Sequence, residues 1–374
     1  MEILRPLASI VATRRAKHTL AVCVVGIFLL DQRYSRRRSV LRYFARLLLV
    51  EIPSAVLFRP RSAPTSFGVL AVASARLGAW LTCGQISDVR PIVELASSAE
   101  AEAAQRDGLV IEKVEQEDGI QGRWLTLEGE HLSLASLHRP LVLLWLHGGG
   151  YIINSSLNAV THHHRLLKEV KEAGRTLVIF NLEYSLAPEA KFPKQIVETA
   201  NAFSWLNKRL PANATLVVGG DSAGGHLAIS LLSHIEKTPA LKTLKHQPVA
   251  SILVSPWVNP FLTKLPEVYF DIINLELGRI ATNAAFDGVD SPGVNLLALN
   301  RIHMAKKGTL VIYGGIEMIR ETIEAFIEKL EVQGVKGLTV WKAEDETHCF
   351  NIYALRREAS KVAIQKTAAF LQAL

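Results

Sequence analysis

ATLVVGGDSAGGHLAISLLSHIE, residues 214–236, decides how the rest of the chain is read. An apolar run ends in Gly220-Asp221-Ser222-Ala223-Gly224, and a helical stretch follows at once, so a serine stands at a sharp strand-to-helix turn. Small residues on either side let the backbone reverse tightly and leave the hydroxyl exposed at the strand's carboxyl end. There it can meet a general base, with the backbone N–H of Ala223 turned to a developing oxyanion. A G-x-S-x-G pentapeptide alone arises by chance; the strand before it and the helix after it give it meaning.

Upstream, HGGGY (147–151) follows the apolar stretch LVLLWL. Three successive glycines bring backbone N–H groups to a substrate oxygen with no side chain in the way. Neither G-x-x-x-x-G-K-[ST] nor G-x-G-x-x-G occurs, which argues against a nucleotide cradle. His147 reads as a hydrogen-bonding residue of this loop rather than as a base. Downstream, the chain order serine, acid, histidine puts the base after the last strand, where His348 precedes a terminal helix. The acid belongs after TLVIYGG (309–315), where Glu317 is the first carboxylate and Glu321 the reserve. Glu317 would hold the imidazole in one tautomer and stabilise the imidazolium. Asp345 is too near His348 in sequence for that role and reads as a loop-fixing residue. His226, one turn past Ser222, is expected to pack beneath it. The run His162, His163 and His164 reads as a solvated patch, since neighbours on a helix point in different directions and make a poor zinc set.

From about residue 108, strand-like and helix-like segments alternate, as in a mostly parallel sheet covered on both faces. Eight strands are expected at 109–114, 123–129, 140–147, 176–184, 214–220, 249–256, 309–315 and 338–343. Helices are expected near 156–173, 193–209, 223–236, 318–333 and 351–373. Continuous apolar runs such as LVLLWL predict burial on both faces. Residues 257–306 break the alternation with scattered Pro, Asn and Gly, and predict a lid insertion. The expected domains are therefore 1–107, a membrane-associating and cap region, and 108–374, the catalytic domain.

The chain has 374 residues, a formal charge of +7, and 49% hydrophobic against 21% charged residues, which excludes a disordered chain. Much of the positive excess lies before residue 47, at Arg14, Arg15, Lys17, Arg33, Arg36, Arg37, Arg38, Arg42 and Arg46. That flanking of an apolar run suits a membrane rather than nucleic acid, and no nucleic-acid partner is expected. The run itself, TLAVCVVGIFLL (19–30), is short of the roughly 17 to 25 residues of a perpendicular span. After it, Val40, Leu41, Phe44, Leu47 and Leu48 recur at the spacing of an interface-seeking helix. Membrane association, for instance at the endoplasmic reticulum, is the expectation, with a cytoplasmic chain as the alternative. The three cysteines, Cys23, Cys83 and Cys349, have no metal-ligand spacing and no disulfide framework.

Together HGGGY (147–151), EYSLAPEAKFP (183–193), GDSAGG (220–225), SPW (255–257), Gly314 to Glu317 and DETHCF (345–350) resemble the hormone-sensitive-lipase branch of the α/β hydrolases. The resemblance covers about 108–374. Within that branch the EYSLAPE variant and the N-terminus are similar to fungal members, including the steryl acetyl hydrolases. It implies an α/β-hydrolase fold with a helical cap, a Ser222, Glu317 and His348 triad, and an oxyanion hole of Gly148, Gly149 and Ala223. It implies no cofactor and no metal. Two departures stand out: Glu183-Tyr184-Ser185 replaces the common Asp-Tyr-Arg, and the acid is Glu317 where Asp is more usual. The first touches a scaffold contact; the second keeps the chemistry, since either carboxylate can orient an imidazole.

These features predict an esterase, lipase or deacetylase acting on a hydrophobic ester through an acyl-enzyme. The alternative is a secondary-metabolite tailoring hydrolase, acyltransferase or cyclase on the same fold, because fold alone does not separate these reactions. A non-catalytic binding protein is disfavoured by the intact set of nucleophile, base, acid and amide donors.

Overall fold

The computed structural model describes residues 47–65, 67–68, 71–73, 75–76, 86–129, 138–291, 293–353 and 357–374. The chain divides into two compact units, Met1–Arg59 with Gly68–Leu77 and Pro60–Phe67 with Gly78–Leu374. In the first, a π-helical turn Leu47–Glu51 runs into the helix Ile52–Leu57, and Arg76 pairs with the buried Glu51 at 3.0 Å. The apolar run 19–30 and most of the amphipathic stretch after it lie outside the described residues. Among the described residues no helix is long and apolar enough to cross a membrane.

The second unit is built on an eight-stranded sheet. Its strands are β1 (Leu109–Glu117), β2 (Ile120–Leu127), β3 (Leu141–Leu146), β4 (Leu177–Leu182), β5 (Thr215–Asp221), β6 (Ala250–Val254), β7 (Gly308–Gly314) and β8 (Leu338–Ala343). Their spatial order is β1-β2-β4-β3-β5-β6-β7-β8. The β1–β2 and β2–β4 pairings are antiparallel and all others parallel. All eight expected strands are present, with ends shifted by a few residues. The longer helices are α1 (Ile86–Arg106), α2 (Val160–Glu172), α3 (Lys194–Arg209), α4 (Ala223–Lys237), α5 (Leu275–Phe286), α6 (Arg320–Val332) and α7 (Glu358–Gln372). A single turn, Phe350–Tyr353, precedes α7.

Every residue of β3 is buried, and the strand's alternation sorts its side chains between two cores. Val142, Leu144 and Leu146 pack with residues of α3, α4 and α6, whereas Leu141, Leu143 and Trp145 pack with α1, α2 and α7. An all-apolar strand is what a sheet covered on both faces requires. In the β3–β5 register Leu146 stands beside Gly220, and in the β5–β6 register Asp221 stands beside Val254. The ends of these parallel strands therefore bring the glycine loop and the serine turn to the same edge, where ligands of open α/β sheets bind.

Two expectations are corrected. His162, His163 and His164 on α2 are not a solvated patch: all three are buried. His163 packs edge-on to Trp145 with ring centroids 4.9 Å apart, and His162 Nδ1 lies 3.1 Å from the carbonyl oxygen of Asn351. Asp345 is exposed and not the fastener of its loop; the neighbouring Glu346 does that through Arg357 at 2.6 Å. The segment 257–306 contains α5, whose Asn274 side chain caps it by accepting the N–H of Leu277.

Candidate active site

Ser222 has φ 52° and ψ −117°, a conformation that side-chain-bearing residues avoid and that the surroundings must enforce. The enforcement is visible. Its N–H donates to Val254 O at 2.9 Å, while its own carbonyl accepts from Trp257 N at 2.9 Å and His226 N at 3.1 Å. Gly220 and Gly224 are required by contact: a β-carbon on Gly220 would sit 2.6 Å from Leu146 O, and one on Gly224 would overlap that oxygen outright. β5 thus turns into α4 only with glycine at both places. The turn leaves Ser222 lining a cavity of about 310 Å³.

The glycine loop is held by Asp221, the residue before the nucleophile. Its Oδ1 accepts the N–H of Gly148 at 3.0 Å, and burial pushes its pKa up to about 7 despite that bond. Gly148 was expected among the oxyanion donors; its N–H is committed to Asp221, and it does not line the cavity. Gly149 lines it as expected, and so does Gly150, the third glycine of the run. Gly149 and Gly150 have φ of 105° and 61°, so the loop again needs glycine there. Ala223 is fully buried at the first turn of α4, where helical N–H groups lack intrahelical acceptors. His147 serves the scaffold as expected: its ring stacks on Tyr184 at 4.1 Å and its Nδ1 lies 2.8 Å from Gly148 O. His226 is buried with Nδ1 2.7 Å from the Tyr151 hydroxyl and Nε2 2.9 Å from Val294 O.

Glu317 and His348 meet across two loops. Glu317 follows β7 and is fully buried, and His348 follows β8. Glu317 Oε2 lies 3.2 Å from His348 Nδ1, the geometry of a carboxylate that accepts the imidazole N–H. The reserve carboxylate, Glu321, is exposed in the first turn of α6. Gly314 and Gly315 let the two loops close, since side chains there would run into the backbone of 344–347. Burial disfavours the His348 imidazolium, but the Glu317 carboxylate beside Nδ1 favours it and holds its pKa above that of free imidazole. The adjoining Cys349 is neutral, its thiol pushed up to about 12 by burial. His348 lines the same cavity as Ser222.

One residue at this junction carries no local signature of its role. Asp271, in the segment between β6 and β7, accepts the N–H of His348 through Oδ1 and that of Met318 through Oδ2, both at 2.8 Å. The Glu183-Tyr184-Ser185 departure makes scaffold contacts. Glu183 accepts the Ser156 N–H at 2.9 Å and pairs with Arg123 at 3.1 Å, and Ser185 donates to Glu198 at 2.6 Å.

The cavity walls are mostly apolar, with Ser97, Glu100, Asn154 and Asn158 as polar exceptions. α1 contributes Val93 and Ala96, α5 contributes Leu277 and Ala281, and the chain after β7 contributes Met318 and Ile319. Arg90 anchors α1 over the loop by donating to Ile152 O at 2.7 Å and pairing with Glu189 at 2.7 Å. Among the described residues no group of three His, Cys, Asp or Glu is arranged to hold a metal ion.

Comparison with known proteins agrees with this fold. A family described as alpha/beta hydrolase fold matches residues 143–352. The chain is 27% identical over 251 residues to 2-hydroxyisoflavanone dehydratase of Glycyrrhiza echinata, an alignment covering 62% of this chain and 76% of that one. It is 35% identical over 114 residues to hormone-sensitive lipase of Mus musculus, covering 28% of this chain and 14% of the lipase. A mutant of the esterase E40 superposes with a TM-score of 0.59 at 26% identity, over 77% of this chain and 91% of that structure. The chain belongs to the α/β hydrolases, in their hormone-sensitive-lipase-like family. It is a carboxylic ester hydrolase.

Proposed function

We propose that the protein hydrolyses hydrophobic carboxylic esters with Ser222 as nucleophile, His348 as general base and Glu317 as the carboxylate that orients it. The observation that carries this reading is the 3.2 Å Glu317–His348 contact opening on the mostly apolar cavity that a strained Ser222 also lines. His348 takes the Ser222 proton as the oxygen attacks the ester carbonyl, and the tetrahedral oxyanion is met by N–H groups of Gly149, Gly150 and Ala223. Collapse expels the alcohol, which receives the proton from His348. Water, activated by the same imidazole, then releases the acid and frees Ser222.

A wall of Val, Leu, Ala, Met and Ile favours an apolar ester, since a polar substrate would lose hydration there without replacement. Access from a membrane suits such a substrate. The apolar run 19–30 with its basic flanks supports that route, as do the exposed Leu49, Leu57 and Phe58 of the first compact unit. A lipophilic acetate, a sterol acetate among them, is the substrate to try first. The similarity to a protein named as a dehydratase supports a second reading, a tailoring enzyme of secondary metabolism on the same fold.

The test is Ser222→Ala assayed on p-nitrophenyl acetate, butyrate and palmitate and on sterol acetates. Hydrolysis is expected to fall by about 10⁴-fold or more. Undiminished turnover would remove Ser222 from the chemistry, and a wild-type protein that cleaves none of these esters but eliminates or transfers acyl groups would favour the second reading.

A further inference from the structure

We propose that Asp271, carried by the segment that covers the site, is the positioning residue that sets Glu317 and His348 against each other. The inference rests on the reading of these two residues as orienting acid and base. Met318 directly follows Glu317, so the carboxylate of Asp271 holds the main chain on both sides of the 3.2 Å acid–base contact, one oxygen for each. It is 5% exposed, so neither bond is shared with bulk solvent.

The chemistry asks for a carboxylate. Two N–H groups approach from different loops, and only an ionised carboxyl presents an acceptor to each; an amide would face one of them with its own N–H. The attachment is reinforced beside it. Phe270 N donates to Ile316 O at 3.0 Å, and Ile316 N donates to Glu346 O at 3.2 Å, so the covering segment, the acid loop and the base loop are stitched in series. On the other side of Asp271, Ile272 and Ile273 line the cavity. A substrate pressing on those two side chains therefore acts one and two residues away from the carboxylate that aligns the base.

Asp271 also contributes charge. Burial raises its pKa to about 7, offset in part by attraction to His348, and the ionised form in turn favours the His348 imidazolium. The other groups facing His348 are Glu317, Cys349 and Asp221. Loss of the Asp271 charge with these unchanged should lower the His348 pKa, which a purely structural role would not do.

The experiment compares wild type, Asp271→Asn and Ser222→Ala in the full chain, with rates expressed per mole of folded protein as measured by the amplitude of the cooperative thermal transition, so that misfolded protein does not count as slow enzyme. For Asp271→Asn, kcat per folded molecule should fall about 10- to 100-fold with KM little changed, as expected for a misaligned base. The acid limb of kcat/KM should move to lower pH. Wild-type kcat per folded molecule, or a limb that stays in place, overturns the proposal. Should Asp271→Asn give no folded protein, Asp271→Glu replaces it: both acceptors remain on a longer arm, kcat per folded molecule should again fall, and wild-type turnover again overturns the proposal. Activity surviving in Ser222→Ala removes the hydrolytic reading and this inference together. An inert Ser222→Ala beside an unimpaired Asp271→Asn removes this inference alone.

Discussion

The two halves of the site are held by different means. On the nucleophile side, Ser222, Gly148 and Gly149 are placed by backbone that has nowhere else to go: adjacent parallel strands end together, and Gly220 and Gly224 sit where any side chain would meet Leu146 O. On the acid–base side, Glu317 and His348 sit on separate loops, and their alignment depends on a side chain from a third segment. The first half is enforced by close packing over a few residues, and the second by hydrogen bonds that span the fold. Damage to the first should therefore appear as loss of the folded protein, and damage to the second as loss of rate in a protein that still folds.

The largest expected effect follows from the packed half. Gly224→Ala should yield little or no soluble enzyme, because a methyl group overlaps a strand carbonyl that cannot retreat without opening the sheet. Soluble yield and Tm measure it, and a variant that folds like wild type would erase the distinction between the halves. Glu317→Gln should keep the fold and lower kcat by up to about 10⁴-fold, the scale set when an orienting carboxylate is neutralised. A Tm collapse in place of a rate loss would place Glu317 in the packed half. A smaller effect is expected on the covering segment. Gly278 on α5 lines the cavity, and a β-carbon there would meet only Met318 Cε at 3.8 Å, so there is room to fill. Gly278→Leu should reduce kcat/KM for long acyl chains by roughly tenfold relative to acetyl, read from an ester chain-length series. An unchanged chain-length profile would show that acyl chains do not run past α5.

The smallest effect near neutral pH concerns stability. Burial lowers the pKa of His162 and of His226 to about 4, below the 6.5 of an exposed imidazole. Between those values the unfolded chain takes up protons that the folded chain refuses, so their contribution is intact above about pH 6.5 and is lost as pH falls toward 4. Asp221 and Asp271, both raised from 3.8 to about 7, work the other way: the folded chain keeps protons that the unfolded chain releases, so their contribution is intact below about pH 3.8 and is lost as pH rises to about 7. For these two histidines and two carboxylates the opposing slopes nearly cancel, so Tm should change little between about pH 4 and 6.5. A Tm that rises on acidification from 6.5 to 4 would show that the histidines are solvated after all.

How much of this was legible in the chain follows the same division. The strands, the serine turn and the glycine loop announce themselves because their causes are local: apolar runs such as LVLLWL, and glycines where the backbone must turn. Glu317 and His348 were found from chain order after β7 and β8, without any local sign that their side chains meet. Asp271 was invisible, since nothing near it in sequence shows that its two partners are Met318 and His348. The burial of His162 to His164 was missed for a related reason. Periodicity gives α2 its faces, but the partners that dry the polar one, Trp145 and Asn351, come from a strand and a distant turn. Gly148 was assigned to the cavity because three glycines in a row look alike until Asp221 claims the first.

Cys349 has a practical consequence. Its sulfur is fully buried beside the imidazole, and the thiol keeps its proton until far above neutrality, whereas alkylating reagents attack the thiolate. Iodoacetamide should then label this cysteine only during moments when the turn between β8 and α7 swings open. Counting labelled molecules against time would make Cys349 a clock for that local opening, read by mass without perturbing Ser222.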